Sequence, residues 1–173
     1  MITLGGFPIY AQWGRPRSLA LIEETRQKTG LFVDNSGESA IDALTHLGVK
    51  RIAIASRWAD QLNRGVLAYL THAGFEVLTI TTEGQMRKEA AAMSIERGIV
   101  LAIQLGREAM RQAPQAEAIL LVGGAWRSLA AVPILEADFG VPAVPNYIAQ
   151  EWRLLHDGIA PPVKGWGKLL EAP

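Results

Sequence analysis

The chain has 173 residues, 49% hydrophobic and 20% charged, with 17 Lys+Arg balanced by 17 Asp+Glu. This describes a globular protein with one sizeable core or two small, closely packed lobes, and it lacks the basic footprint that nucleic acid or an anionic membrane would require. Cysteine is absent, which removes disulfides, thiolate metal sites and thiol nucleophiles; with no signal-peptide pattern and no apolar run near the roughly 18 residues that span a bilayer, the expected location is cytoplasmic.

In chain order, an apolar strand Ile2–Leu4 runs into Gly5, Gly6, Phe7 and Pro8. A helix ends at Gly30 before Leu31-Phe32-Val33, and the polar run from Asp34 to Ser39 follows. The same junction, a glycine that caps a helix before an apolar strand, recurs at Gly48, Gly74 and Gly140. A strand is predicted over Arg51–Ala55, then a helix with an apolar stripe at Leu62, Val66, Tyr69, Leu70 and Ala73, then a strand over Val77–Ile80. The polar stretch from Thr81 to Glu89 reads as a connection, either a lid or an ordinary surface loop. A long helix from Ser94 to Gln112 leads to the strand Ala118–Val122, which again meets a glycine pair, Gly123-Gly124, and a large residue, Trp126. A last strand, Val141–Val144, precedes a tail from Ile159 expected to be extended and pinned by Trp166. Four glycine junctions and continuously apolar strands predict an α/β fold with parallel sheets covered by helices on both sides.

Ligands of parallel α/β sheets bind beyond the carboxyl ends of strands, so the residues after each strand are the candidates. The amides around Gly6 and Gly124 are the strongest anion donors by this reading, with Phe7, Pro8, Trp58 and Gly123 beside them. Arg127 and Arg57 each offer a planar fork for a carboxylate, or stand simply as solvated surface residues. Asp34, Ser36, Ser56 and Asp60 are the candidates for proton transfer, with Glu38 nearby, although the run from Asp34 to Ser39 also reads as a turn and helix cap. Phe7, Trp13, Trp58 and Trp126 would build an apolar pocket or pack a core. His46, His72 and His156 sit near helix ends without metal-ligand spacing, and no metal is expected. Gly165-Trp166-Gly167-Lys168 lacks the hydroxyl and preceding strand of a P-loop, and no Gly-x-Gly-x-x-Gly follows a strand, so no cofactor is expected.

The stretches Ile41–Leu44, Gly48–Ala55, Asp60–Arg64, Ile119–Gly124, Gly140–Pro145 and Gly165–Leu169, in this order and spacing, resemble the aspartate/glutamate racemase superfamily, most closely its arylmalonate decarboxylase and maleate isomerase branch. The resemblance implies two flavodoxin-like lobes, the first made of residues 1–55 with 146–173 and the second of residues 56–145. It also implies a cofactor-free site between them that acts on a small (di)carboxylate through an enolate-like intermediate, as a lyase or isomerase. The positions where members carry proton-moving cysteines fall on Gly123 and on the Phe7-Pro8 turn, and an expected Tyr falls on Trp58. A non-catalytic carboxylate-binding or assembly protein on the same fold is therefore the alternative. Met1 matches a point after the family's opening βα units, so a truncated first lobe is expected, either because the chain is a fragment or because another subunit of a homo-oligomer covers strand Ile2–Leu4.

Overall fold

Short apolar strands that alternate with helices leave the chain one economical solution, a parallel sheet with right-handed crossovers. The computed structural model describes residues 1–85 and 87–171. Strand β1 (Ile2–Leu4) leads into helices α1 (Phe7–Trp13) and α2 (Arg15–Thr29), and β2 (Val33–Asn35) into α3 (Ser36–His46). Then come β3 (Arg51–Trp58), α4 (Asp60–His72), β4 (Glu76–Gln85), α5 (Arg87–Ala91) and α6 (Ile95–Gln112). The chain finishes with β5 (Ala118–Val122), two 3-10 turns (Gly124–Trp126 and Ser128–Ala131), α7 (Val132–Phe139), β6 (Ala143–Pro145), α8 (Ile148–His156) and α9 (Lys168–Glu171).

Strands β1 and β2 pair in parallel as a two-stranded sheet, and the other four form a parallel sheet in the order β4-β3-β5-β6. Because successive strand residues face opposite sides, the four-stranded sheet divides its side chains between two cores. Ile52 and Ile54 of β3 with Leu120 and Val122 of β5 join Phe7, Leu44, Tyr69, Leu70 and Trp152 on one face. Ala53 and Ala55 with Ile119 and Leu121 meet Leu101, Trp126 and Leu135 on the other. Helix α6 lies close to the turn after β5, since a Cβ built on Gly98 would fall 2.3 Å from the Trp126 carbonyl oxygen.

Four details differ from the sequence-based expectations. The lobe boundary drawn at residue 55 falls inside β3, whose register with β4 and β5 places all of it in the four-stranded sheet. The β-branched run Thr79-Ile80-Thr81-Thr82 carries β4 on to Gln85, so half of the expected connection is strand, followed by α5; Met86 lies outside the described residues. Asp34 and Asn35 belong to β2, while Leu31 and Phe32 remain exposed before it. The tail is held by Leu169 and Leu170, which are buried, and by Glu136, which accepts the Lys168 amide at 3.0 Å; Trp166 is 42% exposed.

Candidate active site

The two glycine turns converge. Gly6, Phe7 and Pro8 after β1, Ser36 after β2, Arg57 and Trp58 at the end of β3, Gly124 after β5, and Asn146, Tyr147 and Gln150 after β6 line one cleft of about 280 Å³. All are at the carboxyl ends of their strands or in the helix that follows, as the parallel topology requires.

Glycine is needed at both turns. Gly6 has φ +96° and passes the chain into α1, where its carbonyl accepts the Ile9 amide at 2.8 Å. Gly123 has φ +127°, and its N–H donates to Asn146 Oδ1 at 2.9 Å, which ties the β5 turn to the β6 turn. The second bond takes the Gly123 amide away from any anion. Helix α1 has only seven residues with a proline in its first turn, the turn at Gly124 is a short 3-10 segment, and the Gly123 amide is occupied.

The wall is aromatic. Phe7 is buried, with its ring edge-on to Trp58 at 6.4 Å and to Tyr69 at 5.6 Å. Trp58 is fixed by a small polar lock in which Ser56 Oγ donates to Asn63 Oδ1 at 2.6 Å and accepts the Trp58 amide at 3.0 Å, while Asn63 Nδ2 donates to the Trp58 carbonyl at 2.9 Å.

The cation of the cleft is Arg57. It occupies the irregularity between the Ser56–Thr82 and Trp58–Gln85 pairs of the β3–β4 ladder, where β4 inserts an extra residue. It is 8% exposed, and its Nε and Nη1 have no hydrogen-bond partner among the described residues. Burial lowers its pKa from the ordinary arginine value. The Ser36 hydroxyl, also buried, is without a partner too. Tyr147 accepts the Leu129 amide on its hydroxyl at 3.0 Å.

The residues singled out from sequence divide accordingly. Gly6, Phe7, Pro8, Ser36, Trp58 and Gly124 line the cleft, and Gly123 lies against the Arg57 side chain without lining it. Asp34 does not: it faces a larger hollow of about 430 Å³ that also contains Glu38, Asp42, Arg26 and Arg153. There its carboxylate accepts from Ser39 at 2.6 Å and from the Asn35 amide at 2.7 Å, and burial raises its pKa. Most charges around that hollow have partners, Glu38 in Arg15 and Tyr69, Asp42 in Arg153, and Arg26 in the Val33 carbonyl, while Arg153 Nε has none among the described residues. Asp60 borders a separate depression beside Arg64 and Leu67, and Ser56 serves the Trp58 lock. Arg127 is exposed, with a left-handed φ of 52°, and takes no part in the cleft; Arg57 is the arginine that does. Trp126 is core, and Trp13 lies half-exposed under Arg17. Asn146 and Tyr147 fall in the stretch after the last strand, Pro145 to Tyr147, which the sequence offers as a candidate without assigning them a role, and Gln150 was missed. Their spacing was the available signal, because residues three and four apart at a helix start share one face. No cluster of three or more His, Cys, Asp or Glu that could hold a metal exists among the described residues.

Known proteins share this fold. Arylmalonate decarboxylase from Bordetella bronchiseptica is 28% identical over 179 residues, which covers 99% of this chain and 71% of the relative. A crystal structure of arylmalonate decarboxylase superposes with a TM-score of 0.88 at 26% identity over 99% of this chain and 75% of that one. A maleate cis-trans isomerase from Nocardia farcinica shares the fold, with a TM-score of 0.84 at 20% identity over 100% of this chain and 71% of that one. The architecture is thus that of the aspartate/glutamate racemase-like enzymes, and no described helix is long and apolar enough to cross a membrane. A profile of the arylmalonate decarboxylase family matches residues 6–170, nearly the whole chain, and the chain belongs to that family.

Proposed function

We propose that this chain is a cofactor-independent lyase or isomerase that takes a small carboxylate into the cleft and stabilises an enolate-like intermediate there. The observation that carries this reading is the convergence of both glycine turns with Phe7, Pro8 and Trp58 on one hollow. An apolar wall strips water from a bound carboxylate, and fixed dipoles beside it favour charge that spreads as the reaction proceeds. For a malonate-type acid, the bond between the α-carbon and one carboxylate breaks and CO₂ leaves. Its electron pair enters an enediolate shared with the retained carboxylate, and the α-carbon then takes a proton from water, leaving hydroxide in solvent.

Water is the proton source in this reading because no carboxyl, imidazole or thiol group lines the cleft among the described residues. The same observation favours the second reading, a carboxylate-binding protein without catalysis. Proton NMR of phenylmalonate and of maleate with the protein in D₂O separates the two. Phenylacetate formed with deuterium at its α-carbon, or fumarate formed from maleate, supports the enzyme. Line broadening of the acids with no product over a day supports the binding protein, and unaltered spectra of both acids would sink both readings.

A further inference from the structure

Arg57 and Gly123 share a single volume. A Cβ built on Gly123 would lie 2.7 Å from Arg57 Cγ, 2.8 Å from its Nε and 3.0 Å from its Cδ, so the arginine stem fills the space that any side chain at 123 would enter. The clearance lets the guanidinium lie behind the β5 turn and reach the cleft from the central strand.

What it reaches there is unpaired. Nε and Nη1 are buried without acceptors among the described residues, and no carboxylate lines the cleft to neutralise the charge. Gln85 Oε1, an acceptor that also has no partner, borders the adjoining hollow that Arg57 shares with Pro8 and Leu62. A neutral amide can take one N–H but leaves the charge uncompensated, and a buried, unpaired cation is costly. The arrangement is completed by an anion with two oxygens, matched to the planar guanidinium fork, with the Ser36 hydroxyl, unpartnered among the described residues, as a further donor in the same cleft.

We infer that Arg57, seated in the space left by Gly123, is the residue that selects an anionic substrate in this cleft, by holding its retained carboxylate on the guanidinium. This rests on the reading that the cleft takes a carboxylate. It makes the ground-state grip on the substrate a side-chain ion pair rather than a set of backbone amides.

The test is isothermal titration with malonate and phenylmalonate of the wild type, Arg57→Met, Arg57→Lys and Gly123→Ala, each checked by circular dichroism. Arg57→Met is expected to weaken malonate binding about 10- to 100-fold, the range for a lost charge-assisted hydrogen bond. Arg57→Lys should restore part of that loss, because it returns the charge but not the fork. Gly123→Ala, by displacing the arginine stem, should weaken binding to a similar degree. Combining it with Arg57→Met should add little, since both changes remove the same contact. Malonate affinity within twofold of wild type in a folded Arg57→Met variant overturns the inference while the carboxylate reading stands. A wild type that binds neither acid at millimolar concentration overturns both.

Discussion

Replacing Tyr69 with Phe removes one oxygen from the support of the cleft wall and leaves the ring. Tyr69 is 1% exposed; its hydroxyl donates to Glu38 Oε1 at 2.8 Å, and Arg15 donates to the same carboxylate at 2.9 Å through both Nε and Nη2. Loss of one hydrogen bond to a charged, largely buried acceptor costs about 1.5–3 kcal/mol. For a chain of this size each kcal/mol moves Tm by about 2–4 °C, so scanning calorimetry at pH 8 should show a fall of about 3–12 °C. The effect should also depend on pH. Burial first, and the Glu38 hydrogen bond second, raise the Tyr69 pKa above the ordinary tyrosine value of about 10. The neutral phenol is therefore the form that the fold favours, and its contribution is complete below about pH 10, where unfolded tyrosine ionises, and declines as pH rises toward the folded value. Wild type should lose stability by this route above pH 10 and the Phe variant should not, so the gap between them should narrow. A Tm change below 1 °C at pH 8, or a gap that stays constant through pH 11, would refute the argument.

Two other outcomes test how the two ends of the four-stranded sheet are held. Gly98→Ala should cost about 1–3 kcal/mol in urea unfolding, because its Cβ would meet the Trp126 carbonyl oxygen at 2.3 Å and must push the turn that carries Gly124 away from α6; a variant as stable as wild type would mean that this helix can retreat freely. Glu117 accepts the backbone amides of Lys50 and Arg51, with the Arg51 side chain beyond them, and its pKa falls to about 2. Its stabilising effect is present above the ordinary Glu range and is lost as pH falls toward about 2; an NMR titration that places its midpoint above 4 would contradict that geometry.

The architecture was legible because it is written locally. Gly30, Gly48, Gly74 and Gly140 all take left-handed φ, as helix-to-strand junctions require, and the alternation of Ile52 and Ile54 with Ala53 and Ala55 states that β3 is covered on both faces. Site membership was less legible because it depends on contacts across the sheet. Arg57 is aimed by an extra residue in β4, far along the chain, whereas nothing in its own neighbours distinguishes it from Arg127. Asp34 and Ser36 would share a face if β2 continued, but α3 begins at Ser36, capped by Asn35 Oδ1 on the Gly37 and Glu38 amides, and the two side chains part to different hollows. The reach of β4 to Gln85 was available in its β-branched threonines and was outweighed by the charged residues that follow.

The pairing of β1 with β2 has a consequence for the order in which the molecule assembles. Each contributes three residues, and a two-stranded ribbon of that length has little stability of its own. It is held from outside, by α1 against α4 and by α3 against α8, on a platform that the longer β3 and β5 provide. Gly6, Phe7, Pro8 and Ser36 belong to this dependent part, while Arg57, Trp58 and Gly124 belong to the platform. The cleft is thus closed by the portion of the chain expected to dock last and open first, and hydrogen exchange should find amides such as that of Ile2, bonded to the Phe32 carbonyl at 2.8 Å, exchanging before those of β5. Occupancy of the cleft joins the two portions, and part of any ligand's binding energy is spent on keeping the ribbon in place.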